Sequence, residues 1–366
     1  MQTRLVLYSK WIAHFCCSSQ WASLLMIVAA SAFSCVTEYQ PDTVSLPPAL
    51  VVEGQVTDQP GPYTVRLTRT ADYSYKTLNL LETGAVVSIE DNQGNRETLR
   101  EQAPGGVYQT RVGGMQGVAG RSYKLTIQTK SGTRYESEPE LITAAPPILK
   151  LYTEYRNEPL PNTSLRKQGW DVYLDTKDPE APGNYYRWEW THYEAITACQ
   201  KLPLPDNSYF GIPCCTSCWD IIRCYACINV NSDVNINGQS ISRQLIFQAP
   251  YTSTTPYYIE IEQQALSKGA YEYWKSARQL INNTGGLFDA APQTIRGNMR
   301  CVSDSTLAVY GYFGASGVVT VPFYVDRSQG QGIPNLDLLI TQYAQGCVNC
   351  ENSIYRTPNK PRWWIN

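Results

Sequence analysis

The side chains with the widest chemical range in this chain are its cysteines. There are twelve. Nine lie beyond Cys35: Cys199, Cys214, Cys215, Cys218, Cys224, Cys227, Cys301, Cys347 and Cys350. Three C-x-x-C pairs stand among them, at 215/218, 224/227 and 347/350. Two such pairs can offer four thiolates to a tetrahedral zinc ion. The spacer Trp219–Arg223 is shorter than a zinc ribbon uses. An exported chain takes the other course, in which thiols oxidise to disulfides, and disulfides are the expectation here. Nine is an odd number, so at least one thiol stays free or pairs between chains. Spacing leaves the pairing open.

Other reactive constellations are sparse. Of two histidines, only His192 lies beyond the N-terminal segment, and it falls in a strand-like run. One histidine fits poorly with a His-dependent hydrolase or a multi-His metal centre. No G-x-S-x-G, P-loop or G-x-G-x-x-G occurs. Asp171, Asp175, Asp178 and Glu180 cluster as a glycosidase's carboxylates do, but Asp178-Pro-Glu-Ala-Pro-Gly reads as a turn. The expectation is a non-enzymatic protein with no cofactor and no bound metal. A net charge of −2 gives no electrostatic case for nucleic acid.

The N-terminus carries an address. Arg4 and Lys10 precede the apolar run Trp21–Ser34, which is too short for a bilayer helix of about 20 residues. It ends Ala32-Phe33-Ser34-Cys35, similar to a lipobox, with Cys35 as the acylated first residue after a signal peptide of 1–34. An acyl chain would hold the protein on a membrane rather than in it. Residues 35–48 read as a Pro-containing extended tether. Its Glu38 and Asp42 form a sparse acidic patch, of the kind that resembles a surface-export signal.

The elements that must position any site are mostly strands. Between 49 and 145, seven strand-like runs alternate with turn clusters such as Asp91-Asn-Gln-Gly-Asn and Pro104-Gly-Gly. Seven short strands without a helix predict an immunoglobulin-like β-sandwich. The run 72–83 reads as a longer loop, with Tyr73 and Tyr75 as candidate contact residues. Pro146-Pro147 marks a boundary.

From 148 to 366 the pattern predicts a second β-sandwich-like domain with one packed helix. Its third strand, 184–195, sets Tyr186, Trp188 and Trp190 on one face and Tyr185, Arg187, Glu189 and Tyr193 on the other. A row of such rings stacks on sugars when exposed and fills a core when buried, and the core is the expectation. Ile259 and Ile261 alternate with Glu260 and Glu262, which predicts a strand with one solvated face. Ser267 is placed as N-cap of a helix over 267–281, with Ala270, Trp274, Ala277 and Ile281 at helical spacing, widened by Tyr271 and Leu280. Asn283-Thr-Gly-Gly ends it. Runs 306–312 and 317–325, joined by Phe313-Gly-Ala-Ser, read as a hairpin. The stretch 197–229 reads as a Cys-rich loop, with Tyr209, Phe210 and Trp219 as candidate contacts. Trp363 and Trp364 are expected to pin the chain end to the body.

Four motifs carry a resemblance: Ala270-Tyr-Glu-Tyr-Trp, Asn283-Thr-Gly-Gly-Leu-Phe-Asp, Arg296-Gly-Asn-Met and Gly311-Tyr-Phe-Gly-Ala-Ser. In this order and at these distances they resemble the DUF4249 family, lipoproteins of Bacteroidetes of unknown function. The resemblance spans nearly the whole chain after Cys35, and the central cysteine run is denser than the family's pattern. It implies an outer-membrane, lipid-anchored protein, at the cell surface or on the periplasmic face. The implied partner is a TonB-dependent outer-membrane receptor. Asp42-Thr-Val and Asp304-Ser-Thr, similar to a short O-glycosylation motif, agree with that address. The competing expectations are a structural or adhesive envelope protein and a thiol or metal protein built on the C-x-x-C pairs.

Overall fold

The computed structural model describes residues 48–70, 80–159, 161, 166–203, 209–224, 227–282, 295–334, 350 and 352–365, with backbone alone at 197–203 and 209–216. The expected signal peptide, tether, Tyr73, Tyr75 and Cys347 lie outside these residues. No helix among the described residues is long and apolar enough to cross a membrane.

The first half of the chain supplies β1 (Leu50–Thr57), β2 (Thr64–Arg69), β3 (Leu80–Leu81), β4 (Val86–Asp91), β5 (Arg96–Thr98), β6 (Arg100–Gln102), β7 (Val107–Gln109), β8 (Ser122–Gln128), β9 (Arg134–Ser137) and β10 (Glu140–Leu141). The second half supplies β11 (Ile148–Pro159), β12 (Arg166–Lys177), β13 (Tyr185–Pro203), β14 (Tyr209–Arg223), β15 (Asn229–Ser232), β16 (Ser240–Pro250) and β17 (Tyr257–Leu266). Helix α1 (Lys268–Asn282), β18 (Met299–Cys301), β19 (Val309–Val325) and β20 (Arg356–Thr357) complete it. The fold is mainly β: sandwich layers with one helix among the described residues.

Alternation along the strands builds the first sandwich. Leu50, Val52, Val56, Val65 and Leu67 from β1 and β2 meet Val87, Ile89, Leu125 and Ile127 from β4 and β8, all at most 2% exposed. Each such side chain contributes about 1.5–3 kcal/mol on burial. The second sandwich packs the sheet β11-β12-β16 on β13 and β17. Trp170, Val172 and Leu174 face Tyr186, Trp188, Ile259 and Ile261 there. Tyr186 and Trp188 are therefore core, as expected, and Trp190 packs against the same cluster.

The two sandwiches are not separate along the chain. One eleven-stranded sheet runs β20-β14-β13-β17-β19-β1-β2-β7-β6, with β15 on β13 and β3 on β2 off this path, and the described residues from Pro48 on form one compact unit. The division expected at 145/148 is crossed by two late segments that return to the first core. Strand β18 pairs with β9, and β19 pairs in parallel with β1 from Leu50↔Val309 to Thr57↔Ser316. The second half of β19 pairs with β17, from Gly317↔Ala265 to Val325↔Tyr257. The hairpin expected around Phe313-Gly-Ala-Ser is therefore one continuous strand crossing between cores. Phe313 is fully buried in the first. At Gly317 an added Cβ would stand 2.3 Å from Thr143 O, so only glycine lets the linker pass.

Two of the family-like motifs are explained by this crossing. Asn298 donates from Nδ2 to Phe313 O (2.8 Å) and accepts at Oδ1 from Phe313 N (3.0 Å), closing β18 onto β19. A Cβ on Gly297 would sit 1.7 Å from Gly311 O, and one on Gly311 would sit 1.9 Å from Val52 O. At the linker, Gln263, fully buried, donates to Pro146 O (2.7 Å) and accepts from Trp188 Nε1 (2.8 Å).

Further corrections concern the second half. The Cys-rich stretch 197–229 is largely a long antiparallel hairpin rather than a loop. It pairs β13 with β14 from Thr191↔Arg223 to Pro203↔Tyr209. Strand β17 is covered on both faces, with only Glu262 partly exposed. Helix α1 is capped as expected, with Ala270 N donating to Ser267 Oγ (3.1 Å). Its apolar stripe buries only at the first turns, through Ala270 with Tyr271, Tyr273 and Trp274, while Leu280 and Ile281 are 42% and 49% exposed.

Candidate functional site

A cleft of about 970 Å³ opens on the face of the long sheet opposite the second core. Strand alternation dictates its floor. Because Ile259 and Ile261 of β17 fill the core, Glu260, Glu262 and Gln264 point the other way. Because Tyr186 and Trp188 of β13 do likewise, Arg187, Glu189, Thr191 and Tyr193 share that face. Register brings the rows together: Arg187↔Gln264, Glu189↔Glu262 and Thr191↔Glu260. Tyr273 and Trp274 of α1 line the cleft too, as do Arg223, Lys360 and Arg362.

The floor is held by hydrogen bonds. Gln55 Nε2 donates to Gln264 Oε1 (3.2 Å), and Gln264 Nε2 donates to Glu189 Oε2 (2.7 Å). Arg187 donates to the other Glu189 oxygen and lies 3.7 Å from the Trp274 ring centre. Guanidinium over an indole face is a favourable contact. Tyr258 donates to Glu260 Oε1 (2.7 Å). Burial pushes the Glu262 carboxyl above the usual range, and the charge of Glu189 adds to it. Burial also pulls the Arg187 guanidinium below its ordinary value.

Of the charges of both signs that line this cleft, only some are paired. Glu189 has Arg187 as an ion-pair partner. Among the described residues, Glu260 and Glu262 have no cationic group within 4.0 Å, and Arg223, Lys360 and Arg362 have no carboxylate within that distance. Arg223 instead donates to Ile354 O (3.1 Å). Glu260 is 6% exposed, so its carboxylate is held in the floor rather than in solvent.

The cysteines shape the rim. Cys218 is bonded to Cys350 across 132 positions, and Cys224 to Cys227. Thus 215/218 and 347/350 are not closed as internal pairs, whereas 224/227 is. Cys224 and Cys227 border the cleft. Cys301 is a buried free thiol in the first core. Cys199 lies opposite Cys215 in the β13–β14 register, and the side chains of Cys199, Cys214, Cys215, Tyr209 and Phe210 lie outside the described residues. Cys35 does too. Trp219, expected as a contact residue, is instead 6% exposed and packed against Trp364, at 6.1 Å between centres. Trp364 also meets Tyr258 (5.3 Å), so the chain end is pinned as expected.

His192 is structural. Its Nδ1 faces Tyr258 O (2.6 Å), its Nε2 faces Glu194 Oε2 (2.7 Å), and its ring stacks on Tyr257 at 3.6 Å. Asp178 is likewise fixed: Tyr186 OH and Gly238 N donate to it. The site that sequence reasoning missed is Glu260, Glu262, Arg223 and Arg362. The signal was the Ile-Glu-Ile-Glu alternation, whose polar face is a cleft floor rather than open surface.

A family model described as a domain of unknown function (DUF4249) matches residues 36–321. No curated protein matches. Among solved structures, the chain is similar to a two fibronectin type-III domain segment from chicken tenascin. That similarity is at 11% identity, over 60% of this chain and 92% of that one, with a TM-score of 0.16.

Proposed function

The chain belongs to the DUF4249 family, and from that premise we propose that it is a lipid-anchored outer-membrane protein. In this proposal it binds a ligand in the cleft as the accessory of a TonB-dependent transporter and has no catalytic role. The observation that carries the binding role is the cleft itself. It has the volume of a small-molecule site, about 300–1,000 Å³. Its polar groups are fixed in advance by neighbours, as in the chain Gln55–Gln264–Glu189–Arg187, which lowers the cost of ordering them on binding. The anchor rests on the apolar segment Trp21–Ser34 followed by Cys35, and the transporter on the family resemblance.

The test is extraction of the native protein in mild detergent, tagged after Asn366, with mass spectrometry of what co-purifies. A stoichiometric TonB-dependent barrel is expected. A monomer without partner would overturn the accessory role and favour an adhesive or free-standing one.

A further inference from the structure

We propose that the cleft takes a zwitterionic, peptide-like ligand, its protonated amine seated on Glu260 and Glu262 and its anionic end on Arg223 and Arg362. This deepens the binding role of the cleft and rests on it. Two sets of opposite charge line one cavity, and among the described residues no ion pair within 4.0 Å joins them. The acids sit on the floor, where Glu260 is nine-tenths buried and takes one hydrogen bond among the described residues, from Tyr258 OH at 2.7 Å. The bases stand toward the exposed rim: Arg223 and Arg362 are exposed, as is Lys360. Tyr193 lines the same cleft.

Desolvated carboxylates with no ion-pair partner in contact are costly, and a ligand cation offsets that cost. An anionic ligand would meet Glu260 and Glu262, opposed further by Glu189 across the strand pair. A purely cationic one would leave the rim bases idle. The polarity therefore fixes the direction of entry, amine first. The cleft already holds one organic cation in this manner, Arg187 between the Trp274 face and Glu189. A volume of about 970 Å³ leaves room for a ligand of a few residues.

The test uses the lipidated chain in mild detergent and calorimetric titration with triglycine, N-acetyl-triglycine and triglycine amide. Triglycine is expected to bind. Acetylation is expected to weaken it at least about tenfold, and amidation less, since a charged hydrogen bond in a buried site outweighs one at the rim. The double variant Glu260→Gln, Glu262→Gln is expected to lose triglycine at least about tenfold while melting no lower than the parent, because it removes adjacent like charges. No binding of triglycine at millimolar concentration overturns the proposal. So does equal binding of the acetylated peptide by the unaltered protein, a result independent of whether any variant folds. Co-purification of the barrel with the double variant separates the two ideas: the partner stays if only the ligand assignment fails.

Discussion

Replacing Asn298 by Ala tests whether the motif around it is a fold device rather than a ligand group. The side chain makes three contacts: Nδ2 to Phe313 O (2.8 Å), Oδ1 from Phe313 N (3.0 Å) and Nδ2 to Glu140 Oε1 (3.3 Å). Phe313 is fully buried, so water does not replace the first two. Leaving a buried amide and a buried carbonyl unpaired costs about 1–3 kcal/mol each. The expected loss is about 2–5 kcal/mol in urea unfolding, read from the midpoint with an unchanged slope. Asn298→Asp keeps the acceptor for Phe313 N but loses both donors and sets a second carboxyl beside Glu140, so it should be at least as damaging. Cleft binding at native conditions should persist in any folded fraction. A loss below about 1 kcal/mol for the Ala variant, or a stable Asp variant, would refute the clamp.

The two disulfides should differ in weight. Cys218–Cys350 closes 132 positions and Cys224–Cys227 closes three. Loop entropy then gives up to about 5 kcal/mol for the first and about 2 for the second. Serine pairs at each site, compared by unfolding without reductant, should follow that order, and the reverse order would refute it. Stability should also carry a signature from Glu140, whose carboxyl is pushed above its ordinary 4.5 by burial. A raised folded value means the neutral form is favoured on folding. Its contribution is full below the unfolded value and is lost as pH rises through the folded one. Glu140→Gln should flatten the decline of stability as pH rises above the ordinary carboxylate range, and an unchanged slope would count against this assignment. Asp91 and Glu97 act oppositely. Both are held low by hydrogen bonds, from Asn95 and from the Arg111 amide, that outweigh the upward push of burial. Their contribution is lost as pH falls below the ordinary carboxylate range.

Local features were legible in the residues alone. Ser267 as cap, the start of α1, the strands of the first sandwich and the burial of Tyr186 and Trp188 all follow from spacing, because period and capping chemistry act over a few positions. So does the pinning of the end by Trp364, a large ring at a terminus with few other places to go. Tertiary structure decided what depends on distant partners. Phe313-Gly-Ala-Ser has the composition of a turn, yet it is extended because β1 and β17 supply partners on either side. Cys218 found Cys350 rather than its near neighbour because β14 and the chain end are brought together by pairing with β20. Alternation told that Glu260 and Glu262 oppose Ile259 and Ile261. It did not tell that α1 and the chain end would wall that face, since a strand fixes which side chains share a face but not what stands across from it.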